Sequence, residues 1–106
     1  MIRRIVKMTF REEETGTFLD LFERTKNAIR SFPGCCHLEL WRQQAHEHVF
    51  FTYSLWENPG ALEAYRQSEL FQNTWNQTKA LFAAKPQAWS LELVSQPDPQ
   101  EGPSLF

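Results

Sequence analysis

Residues 35–56, CCHLELWRQQAHEHVFFTYSLW, alternate apolar and polar side chains on both sides of a short polar break. From Cys35 to Gln43, Cys36, Leu38 and Leu40 fall on one side and His37, Glu39 and Trp41 on the other, because successive side chains of a strand point to opposite faces. QQAHEH supplies a polar connection, and HVFFTYSLW, dense in aromatic and β-branched residues, forms the next run. The segment predicts two antiparallel strands joined by a hairpin. Large apolar residues fall on both faces, Leu38, Leu40, Phe51 and Leu55 on one side by this reading and Trp41, Phe50 and Trp56 on the other. Either face left in water would be a sizeable apolar patch.

Working outward, Met1 to Phe10 also alternates, with Val6, Met8 and Phe10 opposite Ile5, Lys7 and Thr9. REEETGT breaks that pattern, and Thr15 or Thr17 is placed to cap a helix carrying Phe18, Phe22, Ile29 and Phe32 on one face. Pro33-Gly34 stops it. After the hairpin, Asn58 as cap and Pro59 at the first helical position open a second helical region. Its apolar face includes Leu62, Tyr65, Leu70, Phe71, Trp75, Leu81 and Phe82, with a break expected near Ser68 and an end at Lys85-Pro86. AWSLELV, from Ala88 to Val94, alternates as a fourth strand. The order βαββαβ within residues 1–94 predicts a ferredoxin-like α+β domain, with both helices covering one face of a four-stranded antiparallel sheet. Residues 95–106, SQPDPQEGPSLF, read as a flexible proline-rich tail; an arm onto a partner subunit anchored by Leu105 and Phe106 is the functional alternative. The doubly apolar strands predict a second sheet against the bare face, that is, a homodimer in which two sheets close a dimeric α/β barrel.

Composition narrows the function classes. A chain of 106 residues holds one core, and a net charge of −2 leaves no basic footprint for nucleic acid. No apolar run is long enough for a membrane span, and the N-terminus lacks a signal-peptide pattern. Adjacent Cys35 and Cys36 cannot close an ordinary disulfide loop, which fits a reduced, cytoplasmic protein with two small buried residues at these positions. Aromatic residues at 14% exceed what a small core needs and point to an aromatic-lined cavity or an apolar interface. Phosphate-binding glycine loops and a nucleophile elbow are missing, and His46 and His48 form an H-x-H without a third ligand, so a hairpin turn is the better reading of that pair.

The helix end followed by GCCHLELWR and then FFTYSLWENPGALEAYRQSELF resembles the antibiotic biosynthesis monooxygenase family of dimeric α/β-barrel proteins, over residues 1–94. Gly34, Cys35, Glu39, Trp56 and Glu57 stand where that family has a Gly-Cys, a Glu four residues on, and a strand-ending Trp before an acidic residue. Ala61, Leu62, Ser68 and Phe71 match its next pattern, whereas Tyr65 and Leu70 occupy the places of its two histidines and Ser54 that of a common Glu. The resemblance implies a small dimer with a pocket in each subunit and, for some members, oxidation of polycyclic phenols or anthrones by O₂ without metal, flavin or other cofactor. A related haem-degrading branch uses an Asn on the first strand and a His in the second helical region; here the strand has no Asn and Trp75 stands near the His place, which argues against haem.

Oxygenation of a phenol without a cofactor needs a group that deprotonates or orients the substrate hydroxyl and an apolar pocket that excludes water. Tyr65, at a pocket position of the family, is the first catalytic candidate, its hydroxyl suited to a substrate phenol or quinone oxygen. His37, with Glu39 two residues on to orient it, is the second. Phe51, Tyr53, Trp56, Phe71 and Trp75 are the candidate substrate-binding residues, although Tyr53 and Trp56 lie on opposite strand faces by parity, so at most one lines a given pocket. The expected ligand is a small aromatic molecule, with no metal site. The rival reading is a non-catalytic or isomerase-type barrel that binds a small metabolite, favoured by the loss of both family histidines.

Overall fold

Residues 1–99 are described by a computed structural model. The elements are β1 (Ile2–Thr9), a short 3-10 turn (Glu12–Glu14), α1 (Thr15–Arg30), β2 (Cys35–Arg42), β3 (Val49–Trp56), α2 (Pro59–Arg66), α3 (Glu69–Lys79) and β4 (Gln87–Leu91). The strands form one antiparallel sheet in the order β2-β3-β1-β4, the ferredoxin-like arrangement predicted from the alternating runs. Register decides which side chains meet. Leu38 lies opposite Ser54, Ser54 opposite Arg4, and Arg4 opposite Ser90, a row across the helix-facing side; Leu40, Thr52, Val6 and Ala88 form the next row. The uncovered side carries Glu39, Tyr53, Ile5 and Trp89 in one row and Trp41, Phe51, Lys7 and Gln87 in another. Leu38 and Leu40 thus share the helix-facing side with Phe50 and Trp56, while Phe51 and Leu55 share the uncovered side with Trp41. The sequence-based grouping across the hairpin is corrected here: alternation orders residues within a strand, and only the pairing of β2 with β3, shifted by a bulge between Cys35 and His37, aligns one strand's faces with the other's.

Local signals explain most boundaries. The Asn58 side chain accepts from the Ala61 N–H at 2.8 Å, the expected cap before Pro59. The break expected near Ser68 is present: its hydroxyl accepts from the Phe71 N–H at 3.1 Å and donates to the Tyr65 carbonyl at 2.6 Å, ending α2 and starting α3. Three expectations differ. Thr15 and Thr17 lie inside α1 rather than capping it; the Thr15 hydroxyl donates to the Arg11 carbonyl at 3.4 Å and stands 3.0 Å from His48 Nδ1. The helical region ends at Lys79, not at Pro86, because Leu81 and Phe82 are drawn back to β1, with the Arg11 N–H on the Leu81 carbonyl and Phe82 bridged to Phe10. β4 ends at Leu91, short of Val94. Residues 95–99 carry no helix or strand, and the rest of the predicted tail, Leu105 and Phe106 included, lies outside the described residues.

The core is built at two places. Met8, Phe10, Phe18 and Phe50 pack at one end of the sheet, where Phe10 stacks on Phe18 at 4.1 Å; Cys35, Trp56 and Leu62 pack at the other. Phe10, Phe50 and Trp56 are its most deeply buried large side chains, at 1%, 2% and 0% exposure, and truncating a ring of this kind costs about 3–5 kcal/mol. Both cysteines are free, Cys35 buried and Cys36 half-buried.

Gly34 closes the second cluster. Its φ of +87° is one that side chains other than glycine resist, and a Cβ there would run into the Ala61 Cβ. The start of β2 and the first turn of α2 therefore approach only because both residues are small. Gly34→Ala is expected to lower unfolding free energy by about 2–4 kcal/mol, from the φ cost and the overlap together. Gly16→Ala, at a helical position with nothing within 4 Å, should instead raise it by about 0.5–1 kcal/mol. Urea denaturation of the two variants checks both signs.

Candidate functional site

Along the helix-facing side of β3 the residues run Phe50, Thr52, Ser54, Trp56, large at the ends and small in the middle. A cavity of about 370 Å³ opens above the small pair, with Phe22 and Thr25 of α1, Tyr65 of α2, and Phe71 and Trp75 of α3 among its walls. The size suits a small ligand. Its floor is polar at intervals: the Trp56 indole N–H donates to the Ser54 hydroxyl at 2.9 Å, which satisfies the buried indole without any partner from the helices.

Tyr65 is framed by rings, stacked on Trp56 at 4.9 Å and edge-on to Phe32 at 5.4 Å and Phe71 at 5.2 Å. Burial, with a smaller contribution from the neighbouring Cys35 thiol, pushes its pKa up to about 12. The phenol is therefore a hydrogen-bond donor across the physiological range and not a base. Burial raises the Cys35 pKa as well, which keeps the thiol protonated and unreactive. Two guanidiniums complete the lining. Arg4, from the floor, donates to the Ser90 hydroxyl at 3.0 Å, and burial followed by the nearby charge of Arg66 holds its pKa below the ordinary arginine value. Among the described residues the lining contains no Asp, Glu or His.

Comparison with known proteins is consistent with this architecture. The antibiotic biosynthesis monooxygenase family model matches residues 1–77. The chain belongs to that family. Among solved structures, one of an antibiotic biosynthesis monooxygenase superposes with a TM-score of 0.84 at 19% identity, covering 90% of this chain and all (100%) of the other. A conserved protein from Methanosarcina mazei Go1 gives 0.81 at 14% identity, covering 85% and 89%, and Rv0793 from Mycobacterium tuberculosis gives 0.82 at 16%, covering 90% and 96%. At these identities the likeness is one of fold. No curated protein matches the chain.

Within the family frame, the sheet sorts the candidate residues. Tyr65, Trp56, Phe71 and Trp75 all line the cavity. His37, Phe51 and Tyr53 lie on the uncovered side of the sheet, and the sheet itself stands between them and the cavity. There His37 and Trp41 both bond to the Glu39 carboxylate, which holds it below the usual carboxylate range, His37 being the larger influence, and Trp41 stacks on Tyr53 at 5.2 Å. Sequence reasoning missed Arg4, Arg66, Thr25, Ser54 and Thr74. Arg4 was detectable: it shares the parity of Val6 and Met8 and is a charge on an otherwise apolar strand face. Among the described residues no three His, Cys, Asp or Glu side chains converge as metal ligands, and no helix is long and apolar enough to cross a membrane.

The raised Tyr65 pKa has a sign that can be checked. The unfolded chain loses this proton near pH 10 and the folded chain near 12, so the stability from keeping the phenol neutral is full below pH 10 and is lost between pH 10 and 12. Melting temperature should fall over that window in the wild type and fall less steeply in Tyr65→Phe.

Proposed function

We propose that this protein is a cofactor-independent monooxygenase that oxidises a flat aromatic substrate, a phenol, anthrone or hydroquinone-like molecule, with O₂ in the cavity above Thr52 and Ser54. The observation that carries this reading is the aromatic-walled cavity of about 370 Å³ with a protonated Tyr65 on its wall, in a chain of the monooxygenase family. Phe71 and Trp75 offer flat surfaces for a planar ring, and Trp56, itself fully buried, backs the Tyr65 ring. Tyr65 donates a hydrogen bond to the substrate oxygen on which negative charge develops, favouring the electron-rich anion that reduces O₂. Since Tyr65 stays protonated, the proton lost by the substrate passes to water. In an anthrone-type reaction the ring CH₂ loses two hydrogens, one oxygen atom becomes the new carbonyl, and the other leaves with those hydrogens as water. The substrate supplies all the electrons.

A homodimer belongs to the same proposal. The uncovered side of the sheet presents Ile5, Phe51, Tyr53 and Leu55 beside Trp41, Trp89 and Leu91, the last three at 42%, 42% and 50% exposure, more apolar surface than a monomer ordinarily leaves in water. A second copy packed face to face would bury it with two-fold symmetry. Light scattering at micromolar concentration should then give twice the 12.5 kDa chain mass, and a one-chain mass would remove the dimer.

A second reading, a binding or isomerase-type pocket, is favoured by one observation: the described lining holds no group of ordinary carboxylate or imidazole basicity. Oxygen uptake by chelator-treated protein with a panel of anthrones, naphthols and hydroquinones separates the two. Turnover is expected for the wild type, with a loss of about 10²-fold in Tyr65→Phe, the size associated with removing one hydrogen-bond donor to developing negative charge. His37→Gln, altered on the far side of the sheet, should change the rate far less. No uptake across the panel would leave the binding reading.

A further inference from the structure

We propose that the ligand of this cavity is an aromatic carboxylate, its planar body between the rings of α3 and the sheet and its carboxylate held by Arg4 and Arg66. The inference rests on the reading of this cavity as the substrate site. Arg4 is an unusual occupant of its position. It stands in the row Leu38, Ser54, Arg4, Ser90 on the covered side of the sheet, two residues from Val6 and four from Met8, both apolar. Placing a guanidinium there costs desolvation, and among the described residues no carboxylate pairs with it; its side-chain partner is the Ser90 hydroxyl at 3.0 Å. A second guanidinium, Arg66 at the end of α2, lines the same cavity close enough for the two like charges to oppose each other. Two cations drawn together beside an apolar cavity, with no acidic residue in its described lining, make a positive site that an anion relieves.

Charge count favours a monoanion. Arg66 is already shared with Glu63, whose carboxylate lies 3.5 Å from it at the surface, so the pair presents close to one uncompensated positive charge. A carboxylate balances that charge and matches the flat two-pronged guanidinium edge, whereas a phosphate dianion would leave a surplus negative charge against aromatic walls. Arg4 and Arg66 would thereby fix which end of a planar molecule enters, and so which ring atom comes to Tyr65.

The test is calorimetric titration of the full chain with 2-naphthoate, its neutral isostere 2-naphthamide, and 2-naphthyl phosphate. Naphthoate should bind about 10–100-fold more tightly than the amide, the range for charge-assisted hydrogen bonds. Arg4→Gln and Arg66→Gln should each erode that preference, weakening naphthoate by about 10-fold or more and the amide, a neutral acceptor for the same guanidiniums, by far less. Arg66 is exposed at a helix end, so its variant carries the test should Arg4→Gln fail to fold. Equal affinity for naphthoate and the amide would overturn the anion site while sparing the cavity as an aromatic site. Tighter binding of the phosphate would overturn the carboxylate assignment, and binding of none of the three would overturn both this inference and the reading of the cavity on which it rests.

Discussion

The helical layer rests on two rings at the ends of one row of β3. Phe50 meets Phe18 of α1 at 5.5 Å, and Trp56 meets Tyr65 of α2 at 4.9 Å, while Thr52 and Ser54 between them are too short to reach across. Two apolar clusters therefore form where a single continuous core could have stood, and the space between them is the cavity. Filling the gap with larger apolar residues would add burial and remove the site. The middle of the sheet is open where its two ends are closed by large rings.

The electrostatics of that chamber follow from the same geometry. Enclosure raises the pKa of the Tyr65 phenol and weakens the hydration of Arg4, so the groups able to act on a ligand are donors and cations. Under the proposed reading, such groups stabilise negative charge on a ligand and do not abstract protons. Gly34 and Ala61, by touching, set α2 against the start of β2 and so determine where the Tyr65 ring stands.

Much of this was legible from residue order. Strand parity separated Tyr53 from Trp56 and predicted that one pocket could not hold both, as the sheet confirms. The Asn58 cap, the break at Ser68 and the order of elements also follow from local patterns, because caps and alternation act over three or four residues. The parity that would have placed Arg4 on the covered face was present too, but a charge near a chain start reads as solvated unless the neighbouring strand is known.

By itself the sequence determined the element types and the ferredoxin-like order, since these depend on periodicity and short-range spacing, and the resemblance of its motifs pointed to the family. Tertiary structure alone decided which strand faces belong together. The register of β2 against β3 put Leu38 and Leu40 beside Phe50 and Trp56, and left His37, Phe51 and Tyr53 across the sheet from Tyr65. A strand's alternation is symmetric under exchange of its two faces. Only pairing to a neighbour, and the helices that then choose one side, breaks that symmetry and makes four residues distant in sequence into one wall.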